Sequence, residues 1–427
     1  MICLLPHCAY LSETSRMLEL HRALTELGVA VRVATHGGPH ERLLAEAGVE
    51  YDVLGPGLSP TRAAAFVGSA VGLGDPRQSM YDDAEIRTYV AAEAEYFRTH
   101  KITVAVTGFT LTTLLSSRLT GVRVITEHAG SFVPPVFERR LLPAPTRPVD
   151  PRLKHAPAWL ARFLVNRSPN RITAYCGGFN RVAAELGVEG IPSLASLLLG
   201  DLSLVPEVPE VLGISAAELA AWTPGKGYRA GAQLRAVGPL FAQLDLPMPA
   251  DVQKFLDRPG PTIYLAMTST PAAQVRTAIA ELSRLDVRIL VAGTIHDLGD
   301  LATDQVLIKG VLPSHLVMPQ VELAVTTGGQ GSVQTAMASG TPLLGIPLHI
   351  EQDLNVALVE RLNAARRARP TTLAAQAARM LDDQSHREAA ERIQKLYATA
   401  DGPAEAAAVI AHPALSDLVH RSTGGDT

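Results

Sequence analysis

Between Gly310 and Asn355 four short segments follow one another in an order that few folds accept: the apolar run VELAVTT, the glycine turn GGQGS, the amphipathic segment VQTAMASG and a second apolar run, PLLGIP. Apolar runs of this length without alternation read as strands buried on both faces, which is the pattern of parallel sheets covered by helices. A strand, a turn, a helix and a strand in sequence therefore predict a parallel pair with its crossover helix. The second run delivers His349, Glu351 and Gln352 to its carboxyl end. In open α/β sheets ligands bind at that end, beside helix N-termini whose free N–H groups attract anions.

The alternation recurs through the chain. MICLLPHC reads as a first strand, RMLELHRALTEL as a helix ended by Gly28, and VAVRVATH as a second strand. ITVAVTGF, TLLSSRLTG and VRVITEHAG repeat the order, and in the second half PTIYLAMTS and VRILVAG flank the helical stripe of AAQVRTAIAELSRL. With 427 residues, more than one core usually serves, the expected class is α/β with two doubly wound parallel-sheet domains. The boundary falls at LDLPMPAD, giving a domain over 1–240, a linker over 241–251, a domain over 252–400 and a tail over 401–427 that returns to the first domain. Leu373 to Ala398 reads as helical. Between Pro134 and Pro157 lie seven prolines interspersed with Arg139, Arg140, Arg147, Arg152 and Lys154, so regular structure is expected to fail there, leaving a functional lid or a solvated connector.

Composition narrows the function by exclusion. A net charge of −4 with both signs interspersed offers no footprint for nucleic acid, which leaves small molecules as partners. Cys3, Cys8 and Cys176 are too few for a disulfide framework and lack metal-ligand spacing, as expected of a cytoplasmic protein without a metal. MICLLPHC is shorter than a signal-peptide core, and no stretch approaches the span of a bilayer. GQGSVQ lacks the third glycine of a dinucleotide fingerprint, and no acidic residue follows at the required distance, which argues against a dehydrogenase.

The segments VGPL, IYLAMTS, GVLPSHLVMPQVELAVTTGGQGS and GTPLLGIPLHIEQDLN, with FNRVAAELG, GDLSLVPEVPEVL and REAAERI, occur in an order that resembles bacterial family-1 glycosyltransferases of the GT-B fold, of the macrolide and antibiotic-modifying type. The resemblance covers most of the chain. It implies two Rossmann-like domains facing an interdomain cleft, a UDP- or dTDP-sugar as co-substrate on the C-terminal domain and a small natural-product acceptor on the N-terminal one. It also implies transfer with inversion, no metal or other cofactor, and a homodimer as an allowed assembly. Residue by residue, Thr268 and Ser269 match the segment that approaches the diphosphate, although Thr268 departs from the family's glycine. Val311, Leu312 and Pro313 match the segment against which the base packs. Gly328, Gly329, Gln330, Gly331 and Ser332 match the glycine turn, with the serine opening a helix. Glu351 and Gln352 match the pair that holds sugar hydroxyls, with His349 and Asp353 flanking it. Thr327 stands where relatives often carry a histidine on the donor phosphate, and Val311 where plant relatives stack a tryptophan.

Relatives also carry a catalytic histidine after the first strand and an aspartate near the end of a later strand. Alignment puts Glu13 and Gly108 at those positions, so the dyad is absent. A carboxylate whose pKa is raised by desolvation can accept the acceptor's proton and needs no orienting aspartate, which makes Glu13 the first candidate base. In a purely structural role it would favour a helix first turn capped by Ser12 or Thr14. His7 and His128, each at a strand's carboxyl end, compete for the role. His36 reads as a turn residue. Two rivals accommodate the missing dyad: a non-catalytic binding or activator subunit, and a sugar-nucleotide epimerase.

Overall fold

The computed structural model describes residues 1–70, 80–128, 130–147, 153, 155–241, 246–267, 270–292 and 297–412. The chain divides into two compact units, one formed by residues 1–139, 164–242 and 401–427 and the other by 140–163 and 243–400.

The first unit is built on a seven-stranded sheet in the order β3-β2-β1-β4-β5-β6-β7. Its strands are β1 (Ile2–Leu4), β2 (Val31–Thr35), β3 (Asp52–Val53), β4 (Val104–Thr107), β5 (Arg123–Glu127), β6 (Leu202–Val205) and β7 (Gln233–Ala236), and all their pairings are parallel. Helix Leu11–Glu26 buries Met17, Leu20 and Leu24 against Val33, Val106 and Ile125 on one face of the sheet. Helix Gly402–Ala411 adds Ala406, Ala407 and Ile410 to the same core. On the other face, helices Pro60–Ala70 and Asp83–Thr99 enclose Phe66, Tyr81, Ile86 and Tyr89 with Leu114 and Phe179. The strand order reverses at β1 and β4, so the segments after Leu4 and after Thr107 flank the crevice where such sheets take ligands.

The second unit carries a six-stranded sheet in the order β10-β9-β8-β11-β12-β13. Its strands are β8 (Thr262–Ala266), β9 (Arg288–Ala292), β10 (Val306–Ile308), β11 (Leu323–Thr326), β12 (Leu343–Gly345) and β13 (Ala365–Arg367), again all parallel. Ile263, Leu265, Ile289, Val291, Val325 and Leu344 form the sheet side of its core, and Val275, Ile279 and Leu282 of helix Ala272–Leu282 cover them. Here the order reverses at β8 and β11.

Three local outcomes differ from expectation. The proline-rich stretch opens on a short helix, Pro134–Glu138, because proline is tolerated in a helix's first turn, where its missing N–H has no intrahelical partner. The segment after it, residues 140–163, groups with the second unit although it precedes β6 of the first. The helical stretch after Leu373 is two helices, Leu373–Asp382 and Ser385–Tyr397, broken at Asp383, which adopts an extended conformation. No helix among the described residues is long and apolar enough to cross a membrane.

Candidate functional site

In the second unit, the glycine turn after β11 leads into helix Gln330–Ala338. Gly328 lies at φ +86°, where a Cβ would stand 2.4 Å from Val356 Cγ2 and 2.8 Å from the Gln352 carbonyl oxygen. The turn is thus closed by the following helix, Ile350–Arg361, and only glycine fits. Gly329 and Gly331 face open space on their Cβ side. Gly329 is the N-cap residue and provides no side-chain cap, so Ser332, expected to open the helix, stands instead at its third position. The N–H groups of Gln330, Gly331 and Ser332 have no intrahelical acceptor and form the positive end of the helix. The side-chain nitrogen of Gln330 is buried there without a partner among the described residues.

The paired acidic and amide residues lie beside this turn. Gln352 Nε2 donates to Thr327 Oγ1 at 3.3 Å and its Oε1 accepts from the Leu348 N–H at 2.9 Å, so the amide braces the turn against the helix while each end keeps one unused hydrogen-bonding position. Glu351 Oε1 accepts from Asn355 Nδ2 at 2.6 Å, and the same nitrogen reaches the Gly328 carbonyl at 3.3 Å. The Glu351 side chain is 37 % exposed, which makes it the freer of the two for a hydroxylated ligand. His349 is the N-cap residue of the helix, with no side-chain cap, and burial holds its imidazole below the usual histidine range. Val311 is 60 % exposed while Leu312 is buried, and Pro313 caps a short helix, Ser314–Val317, whose Ser314 hydroxyl meets Tyr264 at 2.8 Å. Thr268 and Ser269 lie outside the described residues.

Asp353 is fully buried and does not present its carboxylate to a ligand. The Thr146 backbone N–H and hydroxyl both donate to it, the hydroxyl at 2.6 Å, and Arg367 approaches Oδ1 at 3.4 Å. Arg147 Nε donates to the Pro347 carbonyl at 3.0 Å, and Arg367 holds the Ala144 carbonyl at 3.1 Å. Residues 144–147 of the proline-rich segment are therefore strapped across the first turn of the helix that carries Glu351 and Gln352.

In the first unit, the residues aligned with the absent dyad meet. Glu13 stands in the first turn of helix Leu11–Glu26, whose N-cap residue is Tyr10 with no side-chain cap, rather than the expected Ser12 or Thr14. Glu13 Oε1 accepts from the backbone N–H groups of His7 at 3.2 Å, Gly108 at 3.1 Å and Phe109 at 2.7 Å, while its other oxygen is buried without a partner among the described residues. A Cβ on Gly108 would come within 3.1 Å of the Glu13 carboxyl group. The carboxylate thus fills the space an aspartate side chain at 108 would enter. Burial pushes the Glu13 pKa up to about 8, against the opposing pull of the Phe109 amide and the Arg16 charge. An acid poised there is matched to proton transfer near neutrality.

His7 is buried and stacks on Phe66 with ring centroids 4.3 Å apart, and burial lowers its pKa to about 3, so it is a neutral imidazole. His128 is buried at the end of β5, its backbone N–H donating to the Leu204 carbonyl at 3.0 Å. His36, read from the sequence as a turn residue, directly follows the end of β2. It is buried, and its Nε2 faces Glu93 Oε1 at 3.2 Å. No motif marks Glu93 in the sequence, but its position does: it falls on the apolar stripe of helix Asp83–Thr99 with Ile86, Tyr89, Val90 and Phe97, where an unpaired carboxylate would be costly. Among the described residues no group of His, Cys, Asp and Glu side chains is arranged to hold a metal ion.

No protein-family profile matches the chain. A glycosyltransferase of PGL/p-HBAD biosynthesis from Mycobacterium tuberculosis is 23% identical over 325 residues, which is 74% of this chain and 72% of the relative. Among solved structures, the glycosyltransferase VinC in complex with dTDP superposes with a TM-score of 0.64 at 16% identity, over 96% of this chain and 99% of that one. A spinosyn rhamnosyltransferase complexed with spinosyn aglycone gives 0.63 at 17% identity, over 96% and 98%. At these identities the structural likeness speaks for the fold. With two parallel doubly wound sheets of seven and six strands and these structural likenesses along nearly its whole length, the chain has the GT-B fold of these glycosyltransferase structures and is similar in sequence to the mycobacterial glycosyltransferase.

Proposed function

We propose that the protein transfers a hexosyl group from a nucleoside-diphosphate sugar to a small, largely apolar natural-product acceptor, with inversion and without a metal. The observation that carries this reading is the glycine turn of the second unit: open Cβ sides at Gly329 and Gly331, free N–H groups at a helix start, and Gln352 tying Thr327 to the helix that bears Glu351. In this reading the helix end takes the diphosphate, with Thr268 and Ser269 as further contacts to it. Glu351 and Gln352 hold sugar hydroxyls, His349 flanks them, and Val311, Leu312 and Pro313 receive the base. Stabilisation of the departing diphosphate by oriented N–H groups supplies the electrostatic part of catalysis.

Glu13 is the proton acceptor, with its free oxygen as the basic atom and three backbone donors fixing the other. The same saturation of Oε1 favours a second reading, a non-catalytic relative in which Glu13 only ties the loops after β1 and β4 to the helix. The two separate in one experiment on the full chain. Calorimetric titration with dTDP and UDP, followed by mass-spectrometric detection of glycosides from UDP- and dTDP-sugars with a panel of apolar hydroxylated acceptors, is expected to give both binding and product. Loss of product in Glu13→Gln with dTDP or UDP binding intact supports the base. Binding without product on any acceptor favours the non-catalytic relative, and absence of nucleotide binding sinks the proposal.

A further inference from the structure

The missing histidine–carboxylate dyad has a counterpart that alignment does not reveal. His36, at the carboxyl end of β2, faces Glu93 of helix Asp83–Thr99, with Nε2 and Oε1 3.2 Å apart. Glu93 is completely buried, and its carboxylate also accepts from the Thr112 hydroxyl and, at 2.5 Å, from the Ser116 hydroxyl. A carboxylate can only accept, so Nε2 of a neutral His36 must carry the proton and its Nδ1 must present a lone pair. That Nδ1 is buried without a hydrogen-bond partner among the described residues, and so is Nδ1 of His7. Both imidazoles line one small cavity, closed by Leu58, Tyr81, Tyr89 and Thr110. The Thr110 hydroxyl donates to the Leu5 carbonyl at 2.9 Å and the Thr35 hydroxyl to the Pro6 carbonyl at 2.9 Å, so neither has a proton left to give the His36 Nδ1 lone pair.

Two orphaned nitrogens on rings that line one cavity cost folding free energy unless a polar group completes them. The space suits a single water-sized group. We propose that the cavity is a seat for one hydroxyl group of the acceptor, an alcohol or phenol that donates to His36 Nδ1 and accepts from His7 Nδ1–H, with Glu93 holding His36 in the accepting tautomer. A hydroxyl fits because it is donor and acceptor at once; an ammonium can only donate and an ether can only accept. Only the hydroxyl enters, and the group that carries it stays outside. The seat is separate from Glu13 and selects the acceptor rather than reacting with it. As an acceptor site it rests on the glycosyltransferase reading; as a hydroxyl site it does not.

The test needs no donor sugar. Full-length protein labelled with ¹³C at the histidine rings is titrated with phenol and, in parallel, with its methyl ether anisole, the two resonances being assigned through His36→Phe and His7→Phe. Phenol is expected to shift both the His36 and His7 signals and to bind about tenfold or more tightly than anisole, because anisole has no proton to give His36. In His36→Phe, with circular dichroism and melting temperature near wild type, the preference should vanish. Equal binding of the two probes, or saturation by phenol with neither imidazole signal moving, overturns the seat, and the wild-type titration decides this even where a variant fails to fold. Phenol binding without transfer to any acceptor would leave the seat standing and remove the glycosyltransferase reading; transfer without phenol selectivity would do the reverse.

Discussion

The hydroxyl of Thr146 donates to Asp353 Oδ1 at 2.6 Å across 207 residues of sequence, fastening the proline-rich segment to the helix that carries Glu351 and Gln352. Asp353 is wholly buried and its partners are the strap and Arg367. Removing the carboxylate strands these donors and a guanidinium, so Asp353→Ala is expected to destabilise the protein by about 2–4 kcal/mol, read from urea unfolding. Amide exchange around Leu142 to Arg147 should accelerate in the same variant. Unchanged protection there would mean that something other than Asp353 holds the strap.

Glu13 makes stability depend on pH with a definite sign. Its folded pKa of about 8 lies above the ordinary 4.5, so between those values the folded chain binds a proton that the unfolded chain has lost. Stability from this group is therefore full below about pH 4.5, declines as pH rises, and levels off above about pH 8. Glu13→Gln should flatten that decline, and the stability difference between the two proteins should change by on the order of a few kcal/mol across the window. Urea unfolding of both proteins at several pH values checks it, and parallel profiles would remove the raised pKa.

The same titration predicts the rate. If Glu13 is the base, turnover at saturating substrate should rise with pH and level off near pH 8, where the carboxylate becomes the main form. Glu13→Gln should lower kcat by about 10²- to 10⁴-fold with little change in the KM for the donor. A variant that alters only KM would assign Glu13 to binding.

Gly108 is the space Glu13 occupies. Gly108→Asp adds a carboxylate where even a Cβ stands 3.1 Å from the Glu13 carboxyl group, and should destabilise by about 1–3 kcal/mol through overpacking and like-charge repulsion. Combining it with Glu13→His restores the opposite pairing, histidine with aspartate. A double-mutant cycle in thermal unfolding should then show favourable coupling of about 1 kcal/mol or more, whereas simple additivity would mean that the two sites do not share one space.

Gly328→Ala should be among the most damaging single-methyl changes in the second unit. It combines φ +86° with a Cβ 2.4 Å from Val356 Cγ2 and 2.8 Å from a backbone oxygen. A loss of about 2–4 kcal/mol and of nucleotide affinity is expected, and Val356→Ala in the same chain should recover only part of it, since the carbonyl cannot move away. Full recovery would make the side-chain clash the whole cause.

The architecture was legible in the residues because fully buried parallel strands and amphipathic helices leave periodic marks within a few residues of themselves. VELAVTT, PLLGIP and PTIYLAMTS announced β11, β12 and β8, and Gly28 and Gly121 marked helix ends. The strands β3, β10 and β13 left no such mark because, unlike the equally short but wholly buried β12, they are partly or fully accessible, β10 and β13 burying only their first residue and β3 neither of its two. The adjacency of the glycine turn to Glu351 and Gln352 was legible for a similar reason, these residues being close in sequence to the strands β11 and β12 that precede them.

What sequence could not decide were relationships between residues far apart along the chain. Glu13 could be placed in a helix's first turn, but only the approach of β4 to β1 brings the Gly108 and Phe109 N–H groups to its carboxylate and removes it from water. The histidine–carboxylate pair could not be aligned, because His36 and Glu93 come from β2 and a helix 57 residues later. Asp353, beside Glu351 and Gln352 in sequence, is turned into the protein by Thr146. Local periodicity is written into neighbouring side chains by the geometry of one strand or helix; desolvation, tautomer and hydrogen-bond saturation depend on which distant groups packing brings within about 3 Å, and only the folded chain sets that.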